Sequence, residues 1–127
     1  MKTGIELIEE ERNRQVTEEK WTPEHDDAHK KGEMAGAAAV YALGSCGFSN
    51  PHCIELKRED ATHKVRLWPW SEYWWKPSGD ARRDLAKAGA LIAAEIDRLN
   101  RDEARYVEEA ELQDQHYESL EPNTFSS

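Results

Sequence analysis

Long apolar runs are missing from this chain of 127 residues. The longest, Ala35 to Leu43, is mainly alanine and falls far short of the roughly 20 residues that a membrane span needs. Cysteine is scarce. Cys46 and Cys53 are too few for a disulfide framework, which favours a reduced, cytoplasmic setting. Met1-Lys2-Thr3-Gly4 runs straight into a charged amphipathic segment, so no secretory signal is expected. A basic surplus is missing too, with 17 Lys and Arg against 26 Asp and Glu, for a formal charge of −9. Neither duplex nucleic acid nor a membrane is therefore an expected partner. A Gly-rich phosphate loop and a nucleophile elbow are also absent, and no catalytic nucleophile is assigned.

The acidity is unevenly placed. Residues 102–127 hold eight acids and the single base Arg105, while residues 1–101 hold 18 acids and 16 bases. The expected organisation is one helical domain over 1–101 and an acidic C-terminal extension over 102–127. A near-neutral body leaves room for a small phosphorylated ligand, which needs only two or three placed cations.

What is present is mostly helical pattern. A first helix is expected from about residue 4 to 19, with Ile5, Ile8 and Val16 as its apolar stripe. A second starts at Thr22 as N-cap with Pro23 in the first turn, and is expected to run unbroken to Leu43 before Gly44. A third starts near Ser78 or Asp80, with Leu85, Ala88, Gly89, Ile92, Ile96 and Leu99 as a continuous stripe. Between them lie an irregular insertion or short hairpin at about 44–67 and a loop carrying Trp68, Trp70, Trp74 and Trp75. The fold class is all-α in the main, a small three-helix core. The apolar stripe of the third helix also suits a homodimer or higher oligomer. Fraying is expected from Pro122 to Ser127.

Three groups of residues carry chemistry. On one continuous helix, His25 and His29 would lie a turn apart with Glu33 below them, a spacing that can hold a divalent metal. The same residues also serve to cap and solvate a helix start. The second group is Trp68 to Lys76 followed by Arg82 and Arg83. Aromatic rings beside cations and a helix start suit a phosphate with a stacked base, although tryptophan also fills cores. The third is the carboxylate set of the first helix. Glu6 and Glu9 have the E-x-x-E spacing of all-helical nucleotide pyrophosphohydrolases, but the E-x-x-D partner is absent, since Glu95 lies two residues before Asp97.

The combination Glu11-Arg12-Asn13-Arg14-Gln15, Trp21-Thr22-Pro23-Glu24-His25-Asp26-Asp27 with His29, Trp68-Pro69-Trp70, Trp74-Trp75-Lys76-Pro77 and Arg82-Arg83-Asp84-Leu85 resembles a family of small bacteriophage and prophage proteins. The likeness covers about residues 5–101 and implies a phage-encoded protein acting in the cytoplasm of an infected bacterium. More distantly, Arg14, Trp21, Asp26, Asp27, Arg82 and Arg83 resemble the pattern of the RyR (ryanodine receptor repeat) domain, which implies nucleotide recognition in immune signalling.

Together these readings predict a small-ligand-binding protein for a nucleotide-type anion, one that sequesters a host defence nucleotide. The expected ligand residues are Arg14, Trp21, His25, Asp26, His29, Trp75, Lys76, Arg82 and Arg83. The pocket is expected where the end of the first helix, the Trp21–His29 turn and the Trp75–Arg83 turn converge. The alternatives are a metal-dependent nucleotide phosphohydrolase and an inhibitor of a host defence protein acting through the acidic tail.

Overall fold

The computed structural model describes residues 1–48 and 50–120, with backbone alone for Arg58 and for residues 117–120. The expected fraying from Pro122 to Ser127 lies outside the described residues. The element order is α1 (Gly4–Thr17), α2 (Pro23–Asp27), α3 (Glu33–Ser45), β1 (Cys53–Arg58), β2 (Ala61–Arg66), a 3₁₀ turn (Glu72–Trp74) and α4 (Ala81–Leu120). The fold is mainly helical with one small hairpin. The chain divides after Ile96 into two units. In the second, Asp102 accepts hydrogen bonds from Arg98 at 2.8 Å and Arg105 at 3.4 Å. Among the described residues no helix is long and apolar enough to cross a membrane.

Local chemistry sets the element starts. Thr3 accepts the Glu6 N–H and caps α1, and Thr22 accepts the His25 N–H and caps α2, with Pro23 in the first turn. At the start of α4 the Asp80 carboxylate accepts the Arg82 N–H at 3.0 Å. β1 and β2 pair antiparallel from Cys53 opposite Arg66 to Arg58 opposite Ala61. The intervening Glu59-Asp60 turn is tight and puts Glu59 at φ +55°.

The expected unbroken second helix is two helices. Gly32 adopts φ +79°, a left-handed conformation open to glycine at no steric cost, and α3 begins afresh at Glu33. The chain from Ala28 to Gly32 therefore leaves the helix, and His29 with it.

The core of the first unit is made of small residues and one large ring. Met34, Ala37, Ala38, Val40 and Tyr41 of α3 pack with Ala88, Leu91 and Ala94 of α4, and Trp68 is buried among them. At Gly36 the Leu67 carbonyl comes so close that an added Cβ would sit 2.7 Å from it. At Gly89, Ile8 of α1 fills the space a Cβ would need.

Two expected stripes are corrected by this packing. On α4 the buried face is Asp84, Ala88, Leu91, Ala94 and Glu95, while Leu85, Ile92, Ile96 and Leu99 are half-exposed. Alanines win the core face because they let α3 approach closely. On α1, Ile5 is exposed and Val16 largely so, and the buried positions are Glu11 and Gln15.

Candidate functional site

The end of α1 places the first wall of the site. Lys20 takes a left-handed conformation, φ +63°, and the Trp21 N–H donates back to the Gln15 carbonyl at 2.9 Å. This reversal carries Trp21 away from the helix axis and over α2. The Trp21 ring stacks on His25, with centroids 5.5 Å apart and planes 6° apart. His25 meets His29 at 5.0 Å, and His29 meets the edge of Trp70 at 5.3 Å.

The loop from Trp68 to Lys76 supplies the opposite wall. The His52 carbonyl accepts the N–H groups of Leu67 and Trp68, which ties the base of the hairpin to this loop. Trp68 donates its indole N–H to the Ser71 carbonyl at 3.0 Å and meets Trp70 edge-on at 5.5 Å. Tyr41 of α3 accepts the Lys76 N–H at 3.4 Å.

These elements enclose a cavity of about 360 Å³. Its walls are Trp21, His25, His29, Tyr41, Trp68, Trp70 and Trp74, with Leu91 and Ser71 beside them. Its charged and amide groups are Lys76, Lys87, Glu19 and Gln15. The Lys76 ammonium lies 5.6 Å from the Trp74 ring centre and 5.7 Å from that of Tyr73. Lys87 donates to the Lys76 carbonyl at 2.8 Å and lies 5.5 Å from the Tyr41 ring centre. Burial, and then the nearby Arg83 charge, lower the pKa of the Lys87 amine, whereas burial raises that of the Tyr41 phenol. Gln15 is only 2% exposed, and its Oε1 is buried without a hydrogen-bond partner. A buried amide oxygen without a partner is an uncompensated desolvation cost.

Two histidine–carboxylate pairs stand at the rim. His25 Nδ1 lies 3.1 Å from Asp26 Oδ1, and Arg12 Nη2 donates to Asp26 Oδ2 at 3.0 Å. Asp26 is fully buried. His29 Nδ1 lies 3.1 Å from Glu33 Oε2. Burial raises the Glu33 pKa, but hydrogen bonds from the Lys31 N–H and from His29 outweigh it and hold the carboxyl below its usual range.

Of the expected ligand residues, Trp21, His25, His29 and Lys76 border the cavity. Asp26 lies beneath His25 and does not reach the cavity. Trp75 turns to the core side, 4.7 Å from Tyr41, 5.1 Å from His52 and 5.3 Å from Trp68. Arg14, Arg82 and Arg83 line a separate cleft of about 390 Å³ with Leu7, Glu10, Glu11, Asp80 and Ala86. Arg14 is held there by Glu11 at 2.6 Å and Glu19 at 2.8 Å, which raise its pKa further. His25, His29 and Glu33 do not form the expected metal column. His29 has left the helix, and among the described residues no group of three His, Cys, Asp or Glu is arranged to hold a metal ion.

Gln15, Tyr41 and Lys87 carried no sequence signal for the site, because long-range packing brings them there. Comparison with family models, with curated proteins and with solved structures finds no match.

Proposed function

We propose that the tryptophan-walled cavity binds a nucleotide-type anion. One observation carries the reading: aromatic faces, two lysine ammonium groups and the Gln15 side chain line a single cavity of about 360 Å³. Aromatic faces stack bases at about 1–3 kcal/mol each with little sequence preference. Lys76 and Lys87 supply charge for phosphate oxygens, and Gln15 and Glu19 offer hydrogen bonds to a base or ribose edge. The volume lies near the lower end of small-molecule sites, which suits one nucleotide rather than two. The resemblance to phage-encoded proteins and RyR modules supports a further step, in which a host defence nucleotide is withdrawn from solution.

Isothermal titration against cyclic and ADP-ribose-type nucleotides tests this. Binding heat is expected, and Lys76→Gln and Lys87→Gln should each weaken it at low salt. No heat with any member of the panel would refute the reading. The metal-dependent alternative gains no support from side-chain placement on and just beyond α1, where Glu11 and Glu19 are bonded to Arg14 and Glu10 pairs with Lys2.

The half-exposed Leu85, Ile92 and Ile96, with the exposed Ile5, support a second proposal, self-association through this apolar face. Light scattering after chromatography should report a dimer that Ile92→Glu converts to monomer. A monomeric wild-type chain would exclude it.

A further inference from the structure

We propose that the two histidine–carboxylate pairs make this cavity an acid–base site that opens the phosphodiester of a cyclic mononucleotide. The proposal rests on the nucleotide reading above and adds a reaction to it. His25 is fixed by the Trp21 stack on its face and by Asp26 at Nδ1, itself pinned by Arg12. His29 is fixed by Glu33 at Nδ1 and by the Trp70 edge. With each Nδ1 engaged by a carboxylate, Nε2 across the ring is the nitrogen left for proton transfer. Neither Nε2 has a hydrogen-bond partner among the described residues. Both rings border the cavity, 5.0 Å apart and inclined at 68°. Two such pairs, side by side at the mouth of an aromatic cavity, suit a reaction that takes a proton at one atom and gives one at another.

That requirement selects the bond. An alkoxide leaves phosphorus poorly without a proton, so a phosphate ester with an alcohol leaving group uses both an acid and a base. A phosphate leaving group has far less need of the acid. The charges assign the roles. Asp26 already balances Arg12, so His25 takes the base role and accepts a proton from water as the water oxygen bonds to phosphorus. Glu33 accepts the Lys31 backbone N–H and faces His29 Nδ1, with no lysine ammonium or arginine guanidinium bonded to it among the described residues, so His29 takes the acid role. The bond from phosphorus to the ribose oxygen breaks, and His29 gives its proton to that oxygen. The cyclic diester plus water becomes a phosphomonoester, and the two imidazoles exchange protons with solvent to reset. Lys76 and Lys87 face the non-bridging oxygens, where charge accumulates.

The test uses the full chain with 2′,3′-cyclic AMP and 3′,5′-cyclic AMP in EDTA-containing buffer, followed by phosphorus NMR. Conversion of at least one to the monoester is expected, with a bell-shaped pH profile. His25→Asn and His29→Asn should each slow it by about 100-fold or more and remove opposite limbs of the profile. Asp26 and Glu33 contact these rings, Arg12 is bonded to Asp26, and Glu19, Lys76 and Lys87 line the same cavity; circular dichroism melts check that both variants fold. Cyclic nucleotide bound but recovered intact overturns the cleavage and leaves the binding reading standing. No binding heat and no turnover overturns both. Turnover that needs an added divalent metal, or that survives both substitutions, also overturns the cleavage.

Discussion

Replacing Asp26 by alanine removes a buried carboxylate that joins α1 to the rim of the cavity. Asp26 is fully buried, and its two oxygens hold Arg12 at 3.0 Å and His25 at 3.1 Å. Arg12 is itself largely buried, and its Nη1 already lacks a hydrogen-bond partner. Truncating Asp26 therefore strands a buried guanidinium, a change that costs about 3–5 kcal/mol. Small domains have only about 5–15 kcal/mol in total. A loss of that size lowers the melting temperature by at least about 12 °C in a unit of this length. Asp26→Asn keeps the volume and loses the charge, so a smaller loss of about 1.5–3 kcal/mol is expected. Urea melts followed by circular dichroism measure both, read as a shift of midpoint at constant slope. The double substitution Arg12→Met with Asp26→Leu removes both charges and should recover most of the loss. A melting temperature for Asp26→Ala within about 3 °C of wild type, or a double variant no better than the single, would refute the reasoning.

Trp74 is 55% exposed at the cavity edge, so Trp74→Ala should cost about 1–3 kcal/mol of nucleotide affinity by titration and under about 1 kcal/mol of stability. Equal affinity would remove Trp74 from the site. Gly36→Ala gains up to about 1 kcal/mol of helix propensity but sets a Cβ 2.7 Å from the Leu67 carbonyl, whose neighbours are tied to His52. A net loss of about 1–3 kcal/mol in urea melts is expected, and a gain would show that this backbone can yield. The Tyr41 phenol should titrate above the ordinary tyrosine value near 10, visible at 295 nm as one late component. Because the folded state holds this proton more tightly, the contribution is complete below about pH 10 and is lost as pH rises through the raised value. Lys87 runs the other way, its depressed amine favouring the fold above the ordinary lysine value and less as pH falls through the lowered one.

Most elements are marked in the sequence by local signals. Thr22 and Pro23 mark the start of α2 whatever packs on it, and the polar turn near Glu59 marks the hairpin. The break at Gly32 was not legible. An alanine-rich helical pattern follows it, and only a left-handed glycine interrupts that pattern. Of the nine expected ligand residues, Trp21, His25, His29 and Lys76 border the cavity and Asp26 lies beneath its rim. The arginines do not: Arg14 is bonded to Glu11 one turn earlier on α1 and to Glu19 beyond its end, and with Arg82 and Arg83 it lines a separate cleft.

By itself the sequence determined a mainly helical body with capped helix starts, an uneven charge and a cluster of tryptophans beside cations. Tertiary structure decided which tryptophans are core and which are wall. Trp75 packs with Tyr41 and His52 away from the cavity, Trp68 is buried in the core and also backs the cavity, and Trp21, Trp70 and Trp74 close around its space. It also turned the isoleucines of α4 outward, because alanines let α3 and α4 approach closely enough for Trp68 to fill what remained. The cavity exists because residues far apart in the chain, Gln15, Tyr41 and Lys87 among them, meet only when that packing is complete.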